Sequence, residues 1–92
     1  MKLILYQDSG ANGNRKILEQ IARTIFENSG ELATSQIIAD FTKRSSDNKK
    51  NTLDLSIQLQ NINLSYLVDI EKFPNGLYNK NKFTWRKRWK QM

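Results

Sequence analysis

The chain has 92 residues and a net charge of +6, and it contains neither cysteine nor histidine. A chain of this length forms one small domain with a marginal core, because it buries only about 60–65% of its unfolded surface. The missing residue types exclude zinc fingers, disulfide scaffolds, thiol chemistry and imidazole catalysis. The initial apolar run, Leu3–Leu5, is too short for a signal peptide or a membrane span, so we expect a soluble protein of the cytoplasm or nucleoid.

The positive charge is concentrated toward the C-terminus. From Lys72 onward there are seven basic residues and no acidic one, whereas residues 1–71 hold eight basic and nine acidic residues, a net of −1. A concentrated block of one sign attracts polyanions, while the same charge spread evenly would mean little. The distribution therefore favours a nucleic acid as the partner.

The first elements are a short strand and a helix. The stretch MKLILY predicts a short strand or a disordered start, which a flexible polar linker joins to the rest of the chain at residue 13. The following stretch, NRKILEQIARTIFENSG, predicts a helix, because its apolar residues form one stripe at helical spacing. These residues are Ile17, Leu18, Ile21, Ala22, Ile25 and Phe26. Asn14 is expected to cap the start of this helix, and Gly30 is expected to end it in the left-handed region.

A second, short helix is predicted from GELATSQIIADFTKRS. Thr34 or Ser35 would cap its first turn, and two turns of apolar residues would follow. These apolar residues are Ile37, Ile38 and Phe41. The polar stretch KRSSDNKK then predicts a turn in which Ser46 or Asp47 caps the next element.

Residues 52–60 fit two structures. Leu53, Leu55, Ile57 and Leu59 alternate with polar residues, which is typical of a half-buried strand. The same region also fits a helix, because Thr52, Leu55, Leu59 and Ile62 are spaced along one helical face. The helical spacing continues past Asn61, where the alternation stops.

A β-hairpin is predicted near the C-terminus. YLVDIEKF alternates, PNG is a strong turn signal in which Gly76 takes a positive φ, and LYNKNKFTW begins a second extended run. In this run Lys80, Lys82, Arg86, Arg88 and Lys90 share one parity, whereas Phe83, Trp85 and Trp89 share the other. We therefore expect the aromatic residues to anchor the strand and the basic residues to face outward.

The order of these elements resembles the winged helix-turn-helix family. The resemblance covers residues 14–86 and is carried by GELATSQIIADF, TLDLSIQLQNI and LVDIEKFPNGLYNKNKFTW. They would form the helix before the turn, the recognition helix and the wing. The resemblance implies an α+β fold of three helices and a hairpin wing, and it favours a helix for residues 48–62. Residues 87–92 would be a basic tail of the same domain.

The family resemblance implies a non-catalytic DNA-binding protein, a transcriptional regulator, that uses double-stranded DNA as its partner. The residues expected to contact nucleic acid are Lys43, Arg44, Lys49, Lys50, Asn51, Lys80, Lys82, Arg86 and Arg88. A homodimer is also implied, because such modules usually read two half-sites, with Leu53, Ile57 or MKLILY at the interface. Leu53 and Ile57 would face outward beside Asp54, which suits a protein contact better than base reading.

Three other readings stay open. Trp85 and Trp89 would be able to stack on unpaired bases, although tryptophans more often close a small core. A nucleoprotein assembly subunit would bind protein partners through the same elements and touch RNA or single strands through its basic tail. A metal-dependent nuclease would need Asp69, Glu71 and Lys72, but alternating acids are ordinary on the solvent side of a strand. We expect no enzyme activity, cofactor, metal, membrane contact or small-molecule ligand.

Overall fold

The protein is described by a computed structural model for residues 2–6, 13–31 and 36–88. In chain order, its elements are β1 (Lys2–Leu5), α1 (Asn14–Glu27), β2 (Gln36–Ser46), β3 (Lys50–Leu59), β4 (Ile62–Lys72) and β5 (Tyr78–Lys87). The strands form one curled sheet in the order β1-β2-β3-β4-β5. β1 and β2 are parallel and are linked through α1, whereas the later strands pair antiparallel as successive hairpins. β1 and β5 are therefore the edges of the sheet.

The core lies between α1 and one face of the sheet, which we call the covered face. Leu53, Leu55 and Ile57 of β3 are directly opposite Val68, Tyr66 and Leu64 of β4, and all six are buried. Residues that are opposite in register share a face, so the alternation of both strands places their apolar side chains together. Burial of each large apolar side chain contributes about 1.5–3 kcal/mol. The other face, which we call the open face, is mostly polar.

The prediction of a winged helix-turn-helix is wrong. Residues 36–46 and 50–59 are strands, and α1 is the only helix in the described part of the chain. The predicted recognition helix over residues 48–62 is therefore absent. Local periodicity fits both structures in β3, but β4 carries a matching alternation, and the pair buries both apolar rows on one face. This long-range pairing, rather than local pattern, selects the strand.

The end of the alternation at Asn61 has a simple cause. Leu59 is opposite Ile62, so Gln60 and Asn61 form the two-residue turn between β3 and β4. Gln60 has a φ of 36°, which lies in the left-handed region that tight hairpins require. The break therefore marks a hairpin turn and does not indicate a continuing helix.

The second predicted helix is replaced by β2. Ile37 and Phe41 point to the core and are buried, while Ile38 lies on the open face and is partly exposed. A pair of adjacent apolar residues suggested a helix, but here each faces a different side of the sheet. The capping predictions for Thr34 and Ser35 fall outside the described residues.

Other predictions are confirmed. The N-terminal strand, the first helix and the C-terminal hairpin are present, and Gly76 has the predicted positive φ, 87°. Gly30 also has a positive φ, 81°, but α1 ends at Glu27 with Asn28 as its C-cap, so Gly30 does not end the helix. The capping prediction is wrong, because Gly13 is the N-cap residue and Asn14 is the first residue of α1. Within the described residues, no helix has the length and apolar character to cross a membrane.

Leu53 and Ile57 do not form a surface for dimerisation. They are only 3% and 1% exposed and belong to the core. The prediction that either residue lies at a dimer interface is therefore wrong, whereas the same prediction for β1 is untested.

The start of β5 is attached to α1 by a buried amide. The Asn14 side chain accepts a hydrogen bond from the backbone N–H of Tyr78 at 2.8 Å and donates one to the carbonyl of Gly76 at 3.3 Å. Gly13 approaches the same turn so closely that a Cβ there would lie 3.2 Å from Leu77 Cδ2. Asn51 Nδ2 also donates to the Tyr78 hydroxyl. Tyr78 is thus held by α1 through its backbone and by β3 through its side chain.

We expect Asn14→Ala to lower the free energy of unfolding by about 1–3 kcal/mol, because it leaves the buried backbone N–H of Tyr78 without its acceptor. Urea unfolding measures this change. Asn28→Ala is the matched control, since it removes an exposed amide that donates to the Thr24 carbonyl, and it should cost less than about 1 kcal/mol. Equal losses in the two variants would contradict the role assigned to Asn14.

Candidate nucleic-acid interface

β5 follows an irregular path along the edge of the sheet. Tyr78 is opposite Lys72 and Phe83 is opposite Ile70, so residues 79–82 bulge out of the ladder across from Glu71. Within the bulge, the N–H of Asn81 donates to Asn79 Oδ1 at 3.0 Å. The bulge changes the alternation of the strand. Tyr78 before the bulge and Phe83 after it lie on the same face of the sheet, although one has an even number and the other an odd number. The predicted uninterrupted alternation from Lys80 onward is therefore wrong.

Four predicted cations lie along this edge and are exposed. We call them the β5 cations: Lys80, Lys82 and Arg86 lie in β5, and Arg88 directly follows its last residue. Among the described residues, Lys80, Lys82 and Arg86 have no ion-pair partner. Lys80 also lines a concavity of about 290 Å³ beside Lys16 of α1. The edge thus keeps most of its positive charge available to solvent.

Arg88 and Arg44 are less available than their positions in the sequence suggest. Arg88 Nη1 lies 2.7 Å from Asp54 Oδ1, and Arg44 Nη1 lies 3.5 Å from the same oxygen. Asp54 lies on the open face between the strands that carry the two arginines, and it partly neutralises both. The sequence contains no local signal for this cluster, because the contact between Asp54 and Arg88 depends on the strand order.

The predicted cations near the β2–β3 turn separate into two groups. Lys49 and Lys50 lie at the end of the sheet where β5 begins, since the N–H of Lys72 donates to the Lys49 carbonyl at 2.7 Å and Lys72 is opposite Tyr78. Lys43 lies on β2, three strand spacings or about 14 Å from β5 along the sheet. The structure therefore brings only Lys49 and Lys50 toward the start of β5.

Asn51 must be removed from the set of surface contacts. It is 3% exposed, and its amide donates to the Tyr78 hydroxyl inside the protein. Its Oδ1 is buried and has no hydrogen-bond partner in the described part of the chain. The prediction of a nucleic-acid contact by Asn51 is therefore wrong, and the residue acts in positioning β5.

The β2–β3 turn is shaped by Asp47. Its Oδ1 accepts hydrogen bonds from the backbone N–H groups of Lys49 and Lys50 at 2.7 and 2.6 Å. These bonds hold the pKa of Asp47 below its ordinary value of 3.8. The predicted turn with Asp47 as its capping residue is confirmed, and the carboxylate fixes the backbone that carries both lysines.

The carboxylates proposed for a nuclease have structural partners. Asp69 Oδ1 accepts a hydrogen bond from Thr52 Oγ1 at 2.9 Å across the open face. Glu71 is opposite Lys50 in the β3–β4 ladder. Among the described residues, no three His, Cys, Asp or Glu side chains are grouped as metal ligands.

Two aromatic rings are stacked on β5. The ring centroids of Phe83 and Trp85 are 5.6 Å apart, and the ring planes differ by 28°. Phe83 is partly buried against the core, and Trp85 remains 36% exposed. The prediction that aromatic residues anchor the strand thus describes Phe83 well and Trp85 only in part. Trp89 and Lys90 lie outside the described residues.

The chain shows no match to a protein-family model, to a curated protein or to a solved structure.

We expect the Asp47→Ala variant to melt at a lower temperature than the wild type near neutral pH, because two backbone N–H groups lose their acceptor. Because the pKa of Asp47 is lower in the folded state, its contribution is complete above pH 3.8 and is lost as the pH falls through the folded-state pKa. Thermal unfolding at several pH values measures this difference.

Asp40→Ala is the control for removing an exposed strand carboxylate. A melting difference for Asp47→Ala that stays constant from pH 7 to pH 2 would contradict the assignment.

Proposed function

We propose that the protein binds nucleic acid without catalysis and that β5 supplies its main contacts with the phosphate backbone. The proposal rests on one observation above all: Lys80, Lys82 and Arg86 are exposed on an edge strand and have no ion-pair partner within residues 2–6, 13–31 and 36–88. β5 carries no acidic residue. A partner in nucleic acid also fits a protein of the cytoplasm or nucleoid.

The position of β5 makes its charge accessible. In the described part of the chain, no strand lies beyond β5, so a ligand can approach the edge from the side and from the open face. Arg86 lies on the open face opposite Leu67, and Lys80 and Lys82 extend the charge through the bulge toward the β2–β3 turn. Each lysine or arginine that neutralises a phosphate releases a counterion, so binding should weaken steeply with salt.

The contacts proposed here carry little sequence information. Phosphate contacts fix the position of a protein on nucleic acid, whereas sequence is read at the base edges. The predicted recognition helix is absent, so the protein has no helix at residues 48–62 to read a specific site in the major groove. We therefore propose binding that tolerates many sequences, with Lys49 and Lys50 extending the surface.

We expect Lys82→Ala/Arg86→Ala to weaken nucleic-acid binding and to reduce the slope of log affinity against log salt by about 1.4–1.8, because two phosphate contacts are lost. Fluorescence anisotropy with a labelled twenty-nucleotide strand and the corresponding duplex, at several salt concentrations, measures both quantities. Lys2→Ala/Lys43→Ala is the matched control, since it removes the same charge at the opposite side of the sheet. It should leave the slope nearly unchanged.

Asp54→Asn provides the opposite change. It frees Arg44 and Arg88 from their shared carboxylate, so affinity should rise and the salt slope should steepen. Surface ion pairs contribute only about 0–1 kcal/mol, so this variant should remain folded.

Equal effects of Lys82→Ala/Arg86→Ala and Lys2→Ala/Lys43→Ala on binding would contradict a specific role for β5. Self-association of Lys82→Ala/Arg86→Ala with unchanged binding would show instead that the cations protect a sheet edge from pairing.

A further inference from the structure

Trp85 is the unusual feature of β5. Four large hydrophobic residues are exposed in the described part of the chain, and they are Tyr6, Ile62, Phe73 and Trp85. Tyr6 follows β1, Ile62 begins β4 beside the β3–β4 turn, and Phe73 lies in the β4–β5 turn. Only Trp85 lies within the cationic strand itself.

We infer that Phe83 and Trp85 form a stacking site for an unpaired base, so that the preferred ligand is single-stranded nucleic acid. This inference rests on the proposed function, because it assigns a ligand class to the same strand. A base can stack on an indole only when its own face is free, which excludes bases inside an intact duplex.

The geometry prepares the indole for this contact. Trp85 is opposite Val68 and Phe83 is opposite Ile70, and both partners on β4 are fully buried, so the two rings lie beside the buried part of the sheet. Phe83 holds the indole through the stacked contact and is itself partly buried against the core. A side chain that is already ordered loses less conformational entropy when a ligand binds.

Charge on the same strand supplies the second part of the site. Arg86 follows Trp85 directly and faces the open side of the sheet, whereas Trp85 shares the covered face with Val68. A single strand of nucleic acid that passes around this edge would place a base against the Trp85 indole and a phosphate near the Arg86 guanidinium. Lys82, which precedes Phe83, is exposed and can bind the next part of the backbone. An aromatic platform beside a cationic edge is the usual arrangement for sequence-tolerant single-strand binding.

The test uses the full chain with Trp89→Phe as the background, so that Trp85 is the only tryptophan. The probes are a twenty-nucleotide oligo(dU), an oligo(U) of the same length and a twenty-base-pair duplex. We expect both single strands to quench Trp85 fluorescence and the duplex to quench it little. If oligo(U) and oligo(dU) bind equally, the 2′-hydroxyl has no role; a difference identifies RNA or DNA as the better ligand of the same site.

Replacement of the indole separates stacking from charge. In the wild-type background, Trp85→Leu should weaken single-strand binding about tenfold and leave duplex binding unchanged, since one stacked base is lost. Trp85→Phe should recover much of the affinity because it keeps an aromatic face. Phe73→Leu is the matched control, as it removes an exposed aromatic residue outside β5. It should not change the ratio of single-strand affinity to duplex affinity. Thermal unfolding checks that each variant is folded.

The outcomes distinguish this inference from the proposed function. Salt-dependent binding that is lost in Lys82→Ala/Arg86→Ala, together with an unchanged preference in Trp85→Leu, would overturn the stacking site and retain phosphate binding. Absence of binding to every probe at low salt would overturn both. Equal losses for single strand and duplex in Trp85→Leu would assign the indole a structural role and would also overturn the stacking site.

Discussion

The architecture depends on the attachment of β5 to the single described helix. α1 has 14 residues and is the only described element that covers the apolar face of five strands. Asn14 reaches from its first turn to the backbone at Gly76 and Tyr78, across more than 60 residues of sequence. Because both amide groups are used and the residue is 1% exposed, the attachment is directional as well as buried. It fixes where the outermost strand begins and therefore where its charge lies.

Beyond this attachment, β5 serves two different environments. Its start is buried through Tyr78, whereas Lys80, Lys82 and Arg86 are exposed along an edge where no described strand pairs. The bulge at residues 79–82 separates these two parts and changes the parity of the strand. Asp54 limits the charge at the far end by pairing with Arg88. The surface that results is a short cationic edge beside a stacked aromatic pair, a combination that favours backbone contact and base stacking over the reading of base edges.

The sequence predicted those elements that depend on local chemistry. The apolar stripe of α1, the turn at Gly76 and the Asp47 turn all formed as expected, because periodicity, positive φ and a capping carboxylate act over a few residues. The fold class was wrong because the alternation in β3 fits two structures, and β4 decides between them at long range. The exposure of the β5 cations followed from their segregation in sequence. The pairing of Asp54 with Arg44 and Arg88 and the burial of Asn51 could not be predicted from the sequence, because both depend on which strands become neighbours.

The proposed function depends on the binding of nucleic acid along β5. The most direct measurement is a titration of the ¹⁵N-labelled protein with a ten-nucleotide single strand, followed by two-dimensional NMR. If nucleic acid binds there, the largest amide shift changes should fall between residues 80 and 88, with smaller changes at Lys49 and Lys50 and almost none in β1. Shift changes centred on the outer side of α1 or on β1, with β5 unaffected, would contradict it.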